Sequence, residues 1–367
     1  MKIMWIIREA QGGMLSHLSQ LLAGMADHDL VIVAPQHLQD WAAGRPFFPV
    51  EIGDRINAVQ DITAIRQLRS LLHEHRPDVV HIHGLKAALI TVAASRLLRR
   101  PRPSLVFTLH NNLPLPGNFF HRTVYTLVQR RLFRRLDFII TVSDAMRDQL
   151  VAYASPHRVI TIRNGIPVDR FGQCPKAQAR ELMNLPMSAR VVGLVARLIS
   201  SKGISTAIKA ASLLTKLIPD LHMVIVGEGP ERARFENYAS ALGLSERVHF
   251  LGWRSDVPEL MAGWDLFILP SLSEGFSVSV LEAMAAKLPV VVSDLPCMRE
   301  AVVPKKGGYL VKPGDAPELA AAILNILKDP RRAEQMGEFN RQRAVALFGH
   351  ERMIECTRAV YEGLSQT

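Results

Sequence analysis

The sequence predicts an α/β protein made of two domains, each a parallel β-sheet flanked by helices. Three observations predict it. The chain has 367 residues, which is more than a single hydrophobic core usually serves. Short β-branched segments alternate with helical patterns in both halves, as in sheets built from β-α-β units. A segment rich in proline and glycine interrupts this alternation near the middle. Together they predict two Rossmann-like domains of similar size.

The elements of the first half follow from the apolar pattern. Residues 1–7 are apolar but meet Arg8 and Glu9 at once, so we expect a buried first strand rather than a signal peptide. Further apolar runs bounded by polar residues predict strands, and amphipathic segments between them predict helices. The strands are 2–7, 29–33, 78–82, 104–109, 137–142 and 158–162, and the helices are 14–25, 59–74, 85–98, 118–136 and 144–153.

The second half repeats this rhythm after an interruption. Residues 164–175 hold two glycines and two prolines and show little apolar periodicity, which indicates a linker. We therefore predict domains 1–172 and 173–348 and, because ligands bind at the carboxyl ends of parallel strands, one cleft between them. The predicted strands of the second half are 191–195, 222–227, 248–251, 265–269 and 289–293, and helical patterns cover 315–327, 331–347 and 351–364.

The composition excludes several classes of protein. With 48% hydrophobic and 21% charged residues the chain is neither disordered nor fibrous. Its longest apolar stretches, such as 87–94, are far below the roughly 18 residues of a membrane span. The three cysteines have no metal-ligand spacing and do not suggest disulfides, so a cytoplasmic location is expected.

Positive charge is concentrated in the first half. The formal net charge is +10, and residues 1–175 contain 21 Lys and Arg against 13 Asp and Glu, a net of +8. No acidic residue lies between Asp78 and Asp137. A basic surface of this kind indicates an anionic partner: a nucleic acid, a membrane surface or a phosphorylated substrate.

Two glycine-containing turns follow predicted strands. Gly12 and Gly13 come after the first strand and before a helix, where free N–H groups can meet an anion. A plain tight turn is the alternative. Gly227-Glu228-Gly229 is a weaker signal, because a G-x-G pair before a helix is more often only a turn.

Two cations follow the first strand of the second domain. Arg197 and Lys202 lie five residues apart in a strand-to-helix loop. Their combined charge suits a diphosphate, since arginine can bind two oxygens and lysine acts as a compact charge. Solvated surface charges are the alternative.

The segment from Glu274 to Glu282 carries two carboxylates separated by seven residues. Eight helical residues span about 12 Å, too far for two carboxylates to share a proton. The pair suits a long ligand whose hydroxyls reach both ends, while the N–H groups of Gly275, Phe276 and Ser277 meet an anion between them. An ordinary helix-terminal acid is the alternative for either glutamate.

Taken together, these motifs resemble those of the retaining glycosyltransferases of GT-B fold in family 4, also called glycosyl transferases group 1. The match covers nearly the full length. Each motif is weak alone, but their order and spacing are specific. They are Gly12-Gly13, 108–110 (Thr-Leu-His), 141–143 (Thr-Val-Ser), 163–171 (Arg-Asn-Gly-Ile-Pro-Val-Asp-Arg-Phe), 193–197 with Lys202-Gly203, 226–230, and Glu274 with Glu282.

The resemblance implies roles for individual residues. Arg197 and Lys202 would hold the diphosphate of a nucleotide-sugar and stabilise it as it leaves. Glu282 would bind the ribose hydroxyls and Glu274 the sugar hydroxyls, with the 275–277 backbone (Gly275, Phe276, Ser277). Gly12 and Gly13 would close over the phosphates, and His110 would face the sugar. Trp253 and Arg254 would lie near the base, and residues 349–367 would cross back onto the first domain.

The resemblance also implies retention of anomeric configuration without an enzyme nucleophile. We hypothesise a front-face substitution in which the donor's own phosphate takes the acceptor proton. No metal or other cofactor is expected. Asp27-His28-Asp29 is interpreted as a turn, and we take His81 and His83, alternating along a strand, to face opposite sides. Cys297-Met298-Arg299 replaces glycines of many relatives near the sugar, and Lys287-Leu288 replaces another, so the sugar is left open.

Segment 118–136 gives the positive charge a second interpretation. It is cationic and bears aromatic residues, as do helices that lie on anionic membranes, and a peripheral place on the inner face of the plasma membrane is one expectation. An ordinary surface helix is the other. The favoured function is transfer from a UDP-sugar, or else a GDP-sugar, to a glycan or lipid-linked acceptor. A GT-B-fold UDP-sugar epimerase and a basic nucleic-acid-binding protein are the alternatives; no nucleic-acid motif accompanies the charge.

Overall fold

The computed structural model describes residues 1–53, 57–98, 102–113, 119–151 and 153–365, with the backbone alone for 119–124 and 365. The chain divides into two compact units. The first, called unit 1, comprises Met1–Arg163 and the C-terminal residues from Glu351; the second, unit 2, is Asn164–His350. Each unit contains its own parallel sheet, so the predicted α/β class with two Rossmann-like domains is confirmed.

Unit 1 contains a seven-stranded sheet whose paired strands all run parallel. Its interior strands are apolar on both faces because helices cover both sides. In spatial order the sheet reads β3-β2-β1-β4-β5-β6-β7. The strands are β1 (Lys2–Ile7), β2 (Asp29–Ala34), β3 (Phe47–Pro49), β4 (Val79–His83), β5 (Ser104–Leu109), β6 (Phe138–Thr141) and β7 (Val159–Thr161).

The helices of unit 1 connect these strands. Asn57 caps α2 by accepting a hydrogen bond from the Gln60 N–H, and Ser143 caps α5 through the Met146 N–H. They are α1 (Gly13–Ala23), α2 (Ala58–His75), α3 (Leu85–Ser95), α4 (Phe119–Phe133), α5 (Asp144–Leu150) and, at the end of the chain, α14 (His350–Ser365), whose first residue belongs to unit 2.

Unit 2 contains a six-stranded parallel sheet in the order β10-β9-β8-β11-β12-β13. Its core is formed by aliphatic side chains of these strands and of the helices that cover them. The strands are β8 (Arg190–Val195), β9 (Leu221–Val226), β10 (Val248–Gly252), β11 (Leu266–Leu269), β12 (Val290–Ser293) and β13 (Gly308–Val311). The helices are α6 (Lys176–Glu181), α7 (Ile204–Leu214), α8 (Arg232–Ala241), α9 (Val257–Met261), α10 (Val278–Ala285), α11 (Pro296–Ala301), α12 (Ala316–Leu327) and α13 (Pro330–Leu347).

The segment predicted to be a linker is packed into unit 2, so that prediction is wrong. Ile166 bridges to Gly349, and the Val168 carbonyl accepts a hydrogen bond of 2.7 Å from Arg341. Phe171 is buried as well. The division therefore falls after Arg163 rather than after residue 172, because the intervening residues make their contacts in unit 2.

Helix α14 completes the core of unit 1. Tyr361 is fully buried there and accepts a hydrogen bond of 3.3 Å from the Trp5 indole N–H. Arg358 donates to the Gly24 carbonyl and, at 2.6 Å, to Asp27. At Gly24 a Cβ would lie 2.5 Å from the side chain of Ile354, so glycine leaves room for the helix at this distance. Asp27-His28-Asp29 is thus a turn that anchors α14.

In both sheets the order reverses beside the first strand of the unit. In unit 1 the reversal lies between β1 and β4, and in unit 2 between β8 and β11. Loops leaving such neighbouring strands diverge and leave a crevice, which is where open α/β sheets bind ligands.

Candidate functional site

The loops after β8 and β11 carry the strongest candidates of unit 2. They lie against each other, since the Leu272 N–H donates to the Ser201 carbonyl at 2.8 Å. Gly203 has a φ of +69°, and a Cβ there would lie 1.8 Å from the Pro270 carbonyl oxygen. Glycine is therefore required for this approach.

This approach brings Lys202 and Glu274 together. Lys202 Nζ lies 2.6 Å from Glu274 Oε1, and the Ser271 hydroxyl donates to the same oxygen at 2.7 Å. Glu274 is 7% exposed, so its charge is held by these two partners in a largely dry environment. Arg197 is exposed, and its side chain has no ion pair or hydrogen bond among the described residues. The motifs thus converge on one place with a cation available for an anion.

The Gly227-Glu228-Gly229 turn supports the Arg197 loop. A Cβ would lie 2.1 Å from the Ala196 carbonyl oxygen at Gly227 and 2.4 Å from that of Leu198 at Gly229. The Leu198 N–H donates to the Glu228 carbonyl at 2.9 Å. These glycines let two loops nest by their backbones, a contact that the G-x-G pattern alone did not reveal.

The residues before α10 form a potential anion site. No described residue accepts a hydrogen bond from the N–H groups of Gly275, Phe276 or Ser277. Asn164, buried, donates from its side-chain amide to the Phe276 carbonyl at 2.7 Å and so fixes this segment. Sequence reasoning did not single out Asn164, although it lies in the Arg163–Phe171 motif. Asn164 acts through a single hydrogen bond to a distant backbone carbonyl, and a contact of this kind produces no recognisable residue spacing in the sequence.

Glu282 lies on α10, and its carboxyl has no hydrogen-bonding partner among the described residues. Burial raises the pKa of its carboxyl to about 7, and the nearby Arg170 opposes that rise. The group therefore lies near its ionisation midpoint at neutral pH. A carboxyl in this state accepts sugar hydroxyls best when it is ionised.

Cys297 contacts the acidic loop from α11. Its thiol donates to the Glu274 carbonyl at 3.4 Å, and burial raises the pKa of that thiol to about 12. The thiol therefore stays protonated and unreactive. The residue that departs from the glycine of many relatives thus packs against the candidate sugar-binding loop.

The loop after β10 carries the two candidates for the base. Trp253 is 74% exposed, an unusual state for the largest apolar side chain. Arg254 binds Asp256 with two hydrogen bonds, of 2.7 and 2.5 Å. Trp253 therefore offers a free aromatic face, whereas Arg254 is engaged in an ion pair.

In unit 1 the candidates lie at the ends of β1, β4 and β5. Gly12 has a φ of +56° and precedes α1, which begins at Gly13. His110 follows β5, and His83 ends β4. His83 Nδ1 and His110 Nε2 form a hydrogen bond of 3.0 Å, and the ring of His17, from α1, lies edge-on to His110 with centroids 4.8 Å apart. The contacts of His83 and His17 with His110 were not predicted from the sequence.

The prediction that His81 and His83 face opposite sides is wrong. Residues two apart in a strand share a face, and the two ring centroids are 4.1 Å apart. His81 is held by the Tyr361 hydroxyl at Nδ1 and by Thr108 Oγ1 at Nε2, 2.7 Å away. Burial lowers the pKa of His81 to about 3, so this ring is neutral.

His17, His83 and His110 also form the group of metal-type ligands found in the part of the chain that the structure describes. One nitrogen from each ring lies within 4.8 Å of the others. Four-coordinate zinc, with bonds of about 2.0–2.1 Å, requires nitrogens about 3.3 Å apart. Two of these rings are already hydrogen-bonded to each other. The geometry describes a hydrogen-bonded imidazole cluster with spacings wider than a closed metal site.

Helix α4 places its described arginines on the surface. Arg130 and Arg131 of the helix and Arg134 and Arg135 just after it are exposed, as are Leu127 and Val128, while Phe133 is buried. Residue 118 and the side chains of Phe119, Phe120 and Arg122 lie outside what is described. Across the described residues, no helix combines the length and apolar character needed to cross a membrane.

Known proteins resemble both halves of the chain. Residues 12–165 match the family model of the glycosyl transferase 4-like domain, and residues 176–343 match that of glycosyl transferases group 1. Glycogen synthase of Mycobacterium tuberculosis is 31% identical over 296 residues, 78% of this chain and 69% of the relative. The UDP-Gal:alpha-D-GlcNAc-diphosphoundecaprenol alpha-1,3-galactosyltransferase of Escherichia coli is 27% identical over 299 residues, 78% and 75% of the two chains.

Solved structures show the same fold. HepE of Anabaena in complex with UDP-glucose has a TM-score of 0.84 at 22% identity, covering 100% of both chains. Sucrose-phosphate synthase of Thermosynechococcus elongatus has a TM-score of 0.83 at 21% identity, covering 99% of both. With two parallel-sheet units, both family models and these relatives in agreement, the chain belongs to the glycosyl transferases group 1 and is a glycosyltransferase of GT-B fold.

Proposed function

We propose that this enzyme transfers a sugar, with retention of anomeric configuration, from a UDP-sugar to a glycan or lipid-linked acceptor in cell-surface polysaccharide or glycolipid synthesis. The observation that carries the proposal is the convergence of Lys202, Glu274 and the unpaired N–H groups of 275–277 at the β8/β11 reversal. Two similar proteins support UDP as the nucleotide: HepE, solved with UDP-glucose, and the UDP-Gal-dependent galactosyltransferase of Escherichia coli.

The diphosphate is the group that this arrangement suits. Two negative phosphates attract Lys202 away from Glu274 and draw in Arg197, which has no competing partner. Once the lysine has moved, the Glu274 carboxylate can accept hydrogen bonds from hydroxyls of the sugar. The N–H groups before α10 supply further donors to the anion. Stabilising the leaving diphosphate then contributes most of the rate enhancement.

The nucleoside is assigned to the flanking residues. Glu282 accepts the ribose hydroxyls, and the exposed face of Trp253 stacks on the base. Arg254 orients this loop through Asp256. From unit 1, His110 hydrogen-bonds the donor sugar, and Gly12 and Gly13 admit the phosphates close to the backbone.

The transfer step is proposed to occur on one face of the sugar. The bond from the anomeric carbon to the phosphate oxygen breaks, and the bond to the acceptor oxygen forms on that same face. The acceptor proton passes to the departing phosphate oxygen, so neither an enzyme nucleophile nor a metal ion is needed. The basic surface of unit 1, including α4, is assigned to an anionic acceptor or membrane surface on the cytoplasmic side.

A donor-hydrolysis screen tests the proposal. The protein is incubated with UDP-, GDP- and ADP-sugars, with and without EDTA, and the released nucleotide and the anomeric form of any transferred sugar are measured. We expect release from a UDP-sugar, unaffected by EDTA, and an α-linked product from an α-linked donor. Release from GDP-sugars alone, loss of activity in EDTA or inversion would each overturn the corresponding part. An isomerised sugar without transfer would identify an epimerase.

A further inference from the structure

His110 is hydrogen-bonded to a histidine that lies deeper in unit 1. His83 is fully buried at the end of β4, and its Nδ1 lies 3.0 Å from His110 Nε2. The other nitrogen of His83, Nε2, is buried and has no hydrogen-bonding partner among the described residues. The proton shared by the two rings must belong to one of them, and which one decides what His110 presents to a ligand.

The His83 ring is fixed in place by its neighbours. His81 lies beside it, with centroids 4.1 Å apart, and Trp5 packs against its edge at 5.7 Å. His81 is itself held at both nitrogens. The buried Tyr361 hydroxyl accepts from Trp5, and among the described residues its own proton finds an acceptor only at His81 Nδ1. His81 Nε2 then donates to Thr108. The neighbouring ring therefore has one defined tautomer and no proton to offer His83.

Both rings of the His83–His110 pair are neutral. Burial lowers the pKa of each well below its ordinary value, and the imidazoles of His17 and His81 lower it further. His110 also lowers the pKa of His83, and the Arg8 guanidinium lowers the pKa of His110. Each ring therefore carries one proton, so only two arrangements exist.

The two arrangements differ in what they leave unpaired at His83 Nε2. If His110 Nε2 donates, His83 Nδ1 accepts and a buried N–H is left without an acceptor. If His83 Nδ1 donates, only a lone pair is left. Orphaned buried N–H groups are rarer in proteins than acceptors with unused lone pairs. The second arrangement is therefore favoured.

We propose that His83 is a positioning residue that donates from Nδ1 to His110 Nε2 and thereby holds His110 in its Nδ1–H tautomer, as a neutral hydrogen-bond donor. This proposal rests on the role given to His110 in the proposed function. A neutral N–H suits a hydroxyl or phosphate oxygen of the donor, and it keeps the imidazole from acting as a base. His83 itself touches no substrate; it acts through His110.

The tautomer is measured on the intact protein without substrate. Nitrogen-15 NMR of histidine-labelled protein, with the His110 signals assigned from a His110→Gln variant, distinguishes protonated from unprotonated ring nitrogens. We expect protonated Nδ1 and unprotonated Nε2 in His110, and the same pattern in His83. A protonated His110 Nε2 overturns the proposal. This result does not depend on activity, so it stands apart from failure of the donor screen.

Kinetics with the donor that the screen identifies give the second readout. In His83→Phe the ring shape remains but the hydrogen bond is lost, and we expect kcat to fall about 10-fold or more, with KM for the donor changed less than 3-fold, as for the loss of one oriented hydrogen bond. His222→Phe is the matched control, because His222 Nδ1 makes a similar 2.9 Å contact with His249 in unit 2.

Three outcomes of the variants are decisive. A folded His83→Phe with unchanged kcat and an unchanged His110 tautomer overturns the proposal. A loss of kcat together with mixed His110 tautomers supports it. If His83→Phe does not fold, the kinetics are measured on His83→Gln, which keeps an amide donor. The wild-type NMR pattern then decides between the two tautomers.

Discussion

The ion pair between Lys202 and Glu274 joins two motifs that are 72 residues apart in the sequence. Each motif predicted its own role in binding. Their direct contact was not predictable, because it depends on Gly203 lying against Pro270 and on a backbone hydrogen bond between the two loops. The spacing of residues in the sequence predicts helices and strands, whereas contacts between loops depend on how unit 2 folds.

Replacing Lys202 tests the pair at the level of one residue. We expect Lys202→Ala to lower kcat by roughly 10²–10³-fold, as loss of one group that stabilises developing negative charge does in other enzymes. Glu274 keeps its hydrogen bond from Ser271, so the variant should fold. Lys209→Ala, on the exposed side of α7, is the control and should retain activity. Near-normal turnover of the Lys202 variant would remove this residue from the mechanism.

Glu282 predicts a pH dependence of nucleotide binding. Because the pKa of its carboxyl is about 7, the ionised fraction rises about tenfold between pH 6 and pH 8, and with it the acceptors for ribose hydroxyls. We expect UDP to bind more tightly across that range, measured by calorimetry, and Glu282→Gln to flatten the profile. A flat profile in the wild type would contradict the assignment.

The same carboxyl affects stability in the opposite direction. A folded-state pKa above the ordinary value means that the folded protein holds the proton more firmly than the unfolded chain does. Its contribution therefore favours the folded state at low pH and declines as the pH rises from about 4.5 to about 7.

At the scale of elements, strong apolar runs were predicted with bounds that shift by a residue or two, and short ones were not. The predicted strands of both sheets are present, but β3 and β13 were missed. β3 has three residues and ends in Pro49, and β13 has four and begins with Gly308, so neither shows a β pattern of its own. Each forms because a neighbouring strand offers an unpaired edge.

Helix α4 carries a prediction about surfaces. Its exposed Arg130 and Arg131, next to exposed Leu127 and Val128, match a surface that binds anionic lipid. We expect the protein to float with anionic but not with neutral liposomes, and Arg130→Glu with Arg131→Glu to abolish flotation.

The matched control reverses the same charge elsewhere in unit 1. Arg66 and Arg69 are exposed on α2, and changing both to Glu should leave flotation intact. Equal loss in both double variants would show that net charge, rather than α4, attracts the membrane. No flotation of the wild type would exclude the membrane as a partner.

At the scale of the whole molecule, the sequence indicated two sheets, but it placed their boundary too late and described as a linker what is packed structure. The prolines and glycines of 164–175 do interrupt periodicity. This segment is held instead by single contacts of Ile166 and Val168 with the distant 341–349 region. Amino-acid composition does not reveal such contacts. Periodicity reports local pattern, and a long-range pairing of single residues leaves none.

Helix α14 predicts how stability is shared between the units. Removing residues 351–367 strips Met353, Val360 and Tyr361 from the core of unit 1 and leaves the Trp5 N–H and His81 Nδ1 without partners. We expect hydrogen exchange to lose protection throughout unit 1, while unit 2 keeps its protection and its thermal stabilisation by UDP. Protection of unit 1 equal to that of the full chain would show that α14 is dispensable.

The return of α14 also sets the order in which a ribosome can deliver finished parts. Domains usually mature from the N-terminus as they emerge. Here residues 1–163 cannot complete their core until residues 351–367 have been synthesised. Asn164–His350, in contrast, is contiguous and complete as soon as it leaves the exit tunnel. The part synthesised second is therefore the first that can fold to completion. A message that ends before residue 351 yields a contiguous unit 2 beside a unit 1 that lacks part of its core.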